Sequence, residues 1–130
     1  MIVVGIIIKN KKVLLGKLKP EKLNDFGGIP YIFPGGTVLE DEKNEAGVIR
    51  EVKEETGLDV KVIKEITSRT HPQTKKEIHY FHCELIDGDL DTSNDLNDDI
   101  ESLEWIEFSK IKEYVPFLFV DLERFFESLN

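Results

Sequence analysis

The chain of 130 residues holds one cysteine and only 17 lysines and arginines. Each shortage removes a class of protein. A lone Cys83 cannot close an internal disulfide, so the core has to hold the fold, and nothing points to an oxidising compartment. No apolar run approaches the roughly 20 residues that cross a bilayer. The apolar start, MIVVGIIIKN, lacks a basic leader and a small-residue cleavage site, and so reads as a strand rather than a signal peptide. We therefore expect a cytoplasmic protein with no membrane partner. Against the scarce basic residues stand 26 acidic ones, a formal net charge of −9. That balance excludes a dedicated duplex nucleic-acid binder, which needs clustered Lys and Arg to neutralise phosphates. It would also repel a small polyphosphate, which would have to arrive with metal ions or meet a local basic patch.

What is present suits a soluble globular chain: 40% hydrophobic and 33% charged residues, in a length typical of one domain spanning 1–130. Residues 1–8 and 12–18 are apolar runs joined by the polar turn Lys9-Asn10-Lys11, as in a hairpin. The first run is nearly continuously apolar, as expected of a strand covered on both faces. A loop follows over 20–30, with Gly27-Gly28 and Pro30 as breakers. Tyr31-Ile32-Phe33 reads as a short strand stopped by Pro34-Gly35-Gly36. A helix is predicted from Asn44 to the C-cap residue Gly57. Strands are expected over 58–70, 77–85 and 102–108, with a turn at His71-Pro72-Gln73 and an exposed acidic loop over 87–99. Beyond Pro116, a favourable first-turn residue, the spacing of Leu118, Leu122, Phe125, Phe126 and Leu129 predicts a terminal helix packed on the core. Strands on both sides of a central helix make the fold class α+β.

The central helix carries the main chemical signal. Offsets of three and four residues bring Glu51, Glu54 and Glu55 onto one face. Carboxylates so placed repel one another, and they suit a hard divalent cation that prefers oxygen ligands. Spacing alone is equally compatible with a solvated helix face. Val48, Ile49, Val52 and Thr56 cluster on another side, which is expected to pack on the sheet while the acidic side faces an open groove. Gly47 lies one turn before Glu51. Its missing side chain either leaves room for metal and phosphate or is a tolerated imperfection costing about 1 kcal/mol relative to alanine.

A longer frame surrounds these carboxylates: Gly36, five residues, Glu42, seven residues, Arg50-Glu51-Val52, one residue, Glu54-Glu55, one residue, then Gly57-Leu58. With the lead-in Phe33-Pro34-Gly35, this stretch resembles a complete box of the Nudix hydrolase family, in its MutT-like form. The N-terminal hairpin, and Trp105 before a short helix, sit where that family has comparable elements. The resemblance implies an α/β/α sandwich with a mixed central sheet. It implies hydrolysis of a nucleoside diphosphate linked to another moiety, with Mg²⁺ or Mn²⁺ as the ion. Carried over by position, Glu51, Glu54 and Glu55 are the implied metal ligands, with the main-chain carbonyl of Gly35 as a further one. Glu54 is the implied catalytic base, and Arg50 with Glu42 an ion pair that braces the loop against the helix. Some relatives take the base from the loop before the last strand, where Asp98, Asp99 and Glu101 lie. Glu101 is the candidate there, with an exposed acidic loop as the alternative. Family members often carry Glu-x-Gly-Glu before the helix. This chain has Leu39-Glu40-Asp41-Glu42, which puts the shape of that loop in question.

Other constellations carry less. His79, His82 and Cys83 fall on one strand, where His79 and His82 point to opposite faces. Asp95-Leu96-Asn97-Asp98-Asp99 begins like a calcium loop, but Ile100 and Ile106 replace the required Gly and Glu. Cys83 is expected in the core. Arg69, Lys75 and Lys76 are candidates to meet substrate phosphates, with isolated surface bases as the alternative. Phe26, Tyr31 and Phe81 are candidates to stack on a base, with buried packing as the alternative. Two function classes follow. One is a pyrophosphohydrolase, acting on a nucleoside triphosphate or else on ADP-ribose or another nucleotide sugar. The other is a non-catalytic module that senses a nucleotide. Monomer and homodimer are both compatible with the sequence.

Overall fold

A computed structural model describes residues 1–129. Strand β1 (Ile2–Lys9) turns back into β2 (Lys12–Leu18). Asn10 and Lys11 both take positive φ, 52° and 60°, the geometry of a two-residue turn whose twist matches that of the flanking strands. The strands separate at once. β1 pairs with β2 only at Ile8 and Lys9. Farther back, the same edge of β1 pairs with β4 (Gly35–Thr37), while the far end of β2 pairs with β3 (Tyr31–Ile32). The segment 31–37 is therefore strung across the gap where β1 and β2 splay. Pro34-Gly35-Gly36 was expected to end a strand. Gly35 and Gly36 instead enter the sheet, because the splay leaves an open ladder beside Val3 and Val4. Gly35 has to be glycine, since a Cβ there would lie 2.3 Å from the carbonyl oxygen of Val3.

The other edge of β1 pairs in parallel with β6 (Glu77–Asp87), which pairs antiparallel with β5 (Asp59–Thr70); β7 (Ile100–Glu107) covers the outer edge of β2. The sheet is thus mixed. Helix α1 (Asn44–Thr56) lies on one face, over Val3, Ile7, Leu14, Phe81 and Cys83. On the opposite face α2 (Ile111–Tyr114) and α3 (Val120–Ser128) bury Ile111, Leu122, Phe125 and Phe126 against Ile6, Val13, Leu15 and Tyr80. The α+β, α/β/α expectation holds, and the uninterrupted apolar run of β1 is explained by burial on both faces.

Two local expectations are corrected. Residues Pro20–Phe26 form a short 3₁₀ helix rather than a loop, closed by Gly27 at φ 72°. The last helix does not begin at Pro116: α2 ends at Tyr114, and α3 starts only at Val120. Residues 115–119 between them are extended or turned, and place Val115, Leu118 and Phe119 against the core. No helix among the described residues is long and apolar enough to cross a membrane.

Candidate functional site

Helix α1 spans Asn44–Thr56, and Gly57 caps it in the left-handed conformation at φ 79°, donating its N–H to the carbonyl of Lys53 at 3.0 Å. Val48, Val52 and Thr56 are fully buried, whereas Ile49 is 37% exposed at the margin of the contact. Burying two valines contributes about 1.5–3 kcal/mol each, which outweighs the roughly 1 kcal/mol that a helical glycine costs.

The acidic face is not an open groove. Glu55 is only 4% exposed, and its Oε1 accepts the main-chain N–H of Gly35 at 2.8 Å. Burial pushes its carboxyl up to about 8, against the Gly35 hydrogen bond and helped by the negative charges of Glu51, Asp99 and Glu54. Burial likewise raises Glu51, with Arg50 opposing. A Cβ on Gly36 would sit 2.4 Å from Oε2 of Glu51, so this glycine is what lets the carboxylate lie against the strand. The frame residues Gly36 and Glu51 are thus parts of one contact.

Arg50 holds the cluster together. Its Nε and Nη2 make a two-point pair with Glu42 at 2.8 and 3.0 Å, and Nη2 also donates to the carbonyl of Thr37 at 3.1 Å. Nη1 lies between Glu51 and Glu54, at 3.0 and 3.1 Å. The Arg50 guanidinium, with a further bond from the Leu39 N–H, holds the Glu42 carboxyl below its usual range. Repulsion among the carboxylates is therefore relieved in part by an internal cation. Among the described residues no three His, Cys, Asp or Glu side chains form a ready-made metal cage, because Glu51 and Glu54 turn to Arg50 while Glu55 turns to Gly35. The donor set still suits Mg²⁺ or Mn²⁺. It offers hard carboxylate oxygens, and two of the carboxyls are raised chiefly by burial, with the neighbouring carboxylates adding to the rise.

Gly47 has a different surrounding from the one expected. It is buried, and a Cβ would stand 3.1 Å from Oε1 of Glu42 and 3.3 Å from Val38. The space at Gly47 is filled by the loop that Glu42 anchors, not left open beside the carboxylates. Asp41, in place of the frequent glycine, takes φ 64°, so the loop keeps a left-handed residue at that point. Asp tolerates this conformation better than most residues.

Gly35, Gly36 and Thr37 also line a cavity of about 580 Å³ on the opposite face of the sheet. The cavity is largely apolar, walled by Ile2, Val4, Phe33 and the segment 115–119, and falls within the size range of small-molecule sites. Arg69 lines it, while Lys75 and Lys76 lie away in an exposed turn. Phe26 and Tyr31 line it as well; Phe81 does not, being 1% exposed in the core beneath α1. Of the acidic residues before β7, Asp99 faces the cavity and acts on Glu55, whereas Glu101 is exposed on the strand and outside the lining. Periodicity cannot separate Asp99 from Glu101, since the pairing of β7 with β2 skips Glu101, passing from Lys17–Ser102 to Leu18–Ile100. Sequence reading also missed His71, Tyr80 and Phe119, which reach the cavity from three separate elements. His79 pairs with Glu65, and His82 packs edge-on against Phe125, so the two share no centre. Cys83 is buried and its thiol is pushed up to about 12.

Comparison with known proteins agrees with this arrangement. The NUDIX domain family matches residues 1–125. A curated relative from Methanocaldococcus jannaschii, an ADP-ribose pyrophosphatase, is 35% identical over 122 residues, covering 85% of this chain and 70% of its own. Among solved structures, the MutT protein from Methanosarcina mazei superposes with a TM-score of 0.69 at 24% identity, over 98% of this chain and 89% of that one. A UDP-X diphosphatase superposes with a TM-score of 0.64 at 23% identity over 84% of this chain; here the chain spans about half, 51%, of its counterpart.

Proposed function

The chain belongs to the NUDIX family and is a pyrophosphatase acting on phosphoric anhydride bonds; from this premise we propose that it cleaves a nucleoside diphosphate linked to a further group, with the pyrophosphate at α1 and the nucleoside in the cavity. The observation that carries the proposal is the double role of Gly35–Thr37. One side of this strand receives Glu51 and Glu55, and the other lines the cavity. A ligand threaded past the strand reaches both.

Glu51, Glu54 and Glu55 would hold Mg²⁺ or Mn²⁺, together with the main-chain carbonyl of Gly35. Such an ion would supply neutralisation of the pyrophosphate charge and a lowered pKa for a coordinated water. Glu54 takes the proton of the attacking water. It is the least buried of the three and turns only to Arg50, so it is free to exchange partners. Arg50 and Glu42 fix the loop and orient Glu51 and Glu54, a positioning role. Asp99 would assist from the cavity side in place of Glu101, a reading supported by its position in the cavity lining. The protein supplies fixed charge and geometry, which is what phosphoryl transfer mainly requires.

A nucleoside triphosphate is the first substrate reading, since the cavity has room for one nucleoside. ADP-ribose is the second, favoured by the 35%-identical relative of that name. The test is phosphate or pyrophosphate release from a panel of nucleoside triphosphates, nucleotide sugars and dinucleoside polyphosphates with Mg²⁺. Turnover abolished by Glu54→Gln supports the hydrolase. Tight binding without turnover on any member would make the protein a nucleotide sensor.

A further inference from the structure

The far end of the cavity presents mainly hydrogen-bond donors from its side chains. Arg69 donates its Nε–H to the hydroxyl oxygen of Tyr80 at 3.2 Å, and its guanidinium lies 5.4 Å from the ring centre of Phe119. Both contacts fix the guanidinium plane. Its two Nη groups have no hydrogen-bond partner among the described residues. The Tyr80 hydroxyl, already accepting from Arg69, keeps its proton to give. His71 adds a third donor. Its Nδ1 accepts the main-chain N–H groups of Gln73 and Thr74, each at 3.2 Å, which assigns the ring proton to Nε2. All three residues line the same cavity.

This donor end lies across the sheet from the carboxylates. Arg69 is opposite Ile78, Ile78 opposite Ile2, and Ile2 opposite Thr37. Three strand spacings make roughly 14 Å. A nucleoside whose 5′ phosphates lie at α1 would bring its base towards Arg69. The walls between are apolar and aromatic, which suits a flat ring. The acidic residue of the lining, Asp99, sits at the opposite end, 3.7 Å from the Lys22 ammonium.

We propose that Arg69 is a specificity-determining residue that selects a nucleobase with two adjacent acceptors on its edge, a 6-oxopurine such as guanine. The Arg fork matches the O6 and N7 acceptors of guanine, whereas adenine sets its N6 amino group against a donor. Tyr80 and Phe119 are positioning residues that aim the fork. This inference rests on the reading that the nucleoside occupies the cavity, and it favours a guanine nucleotide over the ADP-ribose alternative.

The experiment compares matched pairs, GTP with ATP and a GDP-sugar with the corresponding ADP-sugar, on wild-type protein and Arg69→Gln in Mg²⁺. The wild type is expected to favour the guanine member in kcat/KM by about tenfold to a hundredfold. Arg69→Gln is expected to remove or invert that preference, because a carboxamide pairs with N6 and N7 of adenine. An adenine preference in the wild type overturns the proposal. An equal loss on both bases in the variant also overturns it, since that is what a merely structural arginine would give. If neither pair is turned over, the proposed reaction fails, and calorimetric binding of GMP against AMP decides the base. Tighter GMP, with the difference lost in Arg69→Gln, supports the proposal; equal or tighter AMP overturns it.

Discussion

Two stretches of this molecule are crowded with acid, the α1 face of Glu51, Glu54 and Glu55 and the loop 88–99, and the structure treats them in opposite ways. Apart from Asp99, which lines the cavity, the loop keeps its charges in water. Asp89, Asp91, Asp95 and Asp98 point outward or to the surface, and Asp91 accepts the N–H and hydroxyl of Ser93 at 2.9 and 2.7 Å. Those bonds hold the Asp91 carboxyl below its usual range. What shapes the loop is the amide of Asn97, 4% exposed, which donates to the carbonyls of Thr92 and Ile100 and accepts the N–H of Ile100. On α1 the carboxylates are pressed against a glycine strand, and burial raises Glu51 and Glu55. The loop holds more acids, five against three. What differs is convergence and desolvation, which leave one set satisfied and the other short of positive charge.

The contrast can be broken most directly by neutralising one acid in each region. Glu54→Gln is expected to lower kcat by on the order of a hundredfold or more, while Asp95→Asn leaves kcat unchanged in the same Mg²⁺ assay. Next in size is Gly36→Ala. The added Cβ, 2.4 Å from the Glu51 carboxylate, should displace that group, with an expected loss of about tenfold and a raised Mg²⁺ requirement; an unchanged Mg²⁺ titration would refute the role given to this contact.

The third test is pH. The Glu55 carboxyl stands at about 8 in the folded chain against an ordinary 4.5, so between those values the folded state holds a proton that the unfolded state has released. Metal-free protein should keep this contribution fully below about pH 4.5 and lose it as pH rises to about 8, at a slope of at most about 1.4 kcal/mol per pH unit. Thermal melts in a chelator across that window should show the decline, and both Mg²⁺ and Glu55→Gln should flatten it. Asp91, whose carboxyl is lowered, gives no such slope there. The smallest effect is on the loop itself. Asn97→Ala strands the buried N–H of Ile100, costs about 1–3 kcal/mol, and should leave kcat per folded molecule intact.

The sequence marked both regions, the α1 cluster by its frame and the loop by its Asp- and Asn-rich exposed composition, but not the burial of Glu55. Local rules located α1, because Gly57 stops it and Val48 and Val52 repeat at helical spacing. They also located the first hairpin, because Asn10 tolerates the positive φ of its turn. The regions they missed are held by partners far along the chain. Gly35 and Gly36 look like breakers until the splay of β1 from β2 supplies a ladder. Pro116 looks like a helix start, yet packing of Val115, Leu118 and Phe119 on the core keeps 115–119 out of helical geometry. The carboxylate cluster could be read because one helix carries it. The cavity could not, because Arg69, Tyr80 and Phe119 come from β5, β6 and the segment before α3.

The parallel pairing of β1 with β6 also bears on how the chain reaches this state. Ile2 meets Ile78, and Ile8 meets Glu84, so the innermost strand is made well before its partner leaves the ribosome. Closing so long a loop precedes the contacts that reward it, and folding is slowed accordingly. Until then β1, apolar on both faces, has only a short hairpin for cover, and this is the interval in which a nascent chain is most open to strand-to-strand association. The same strand that seats the glycines of the site thus sets when the site can first exist.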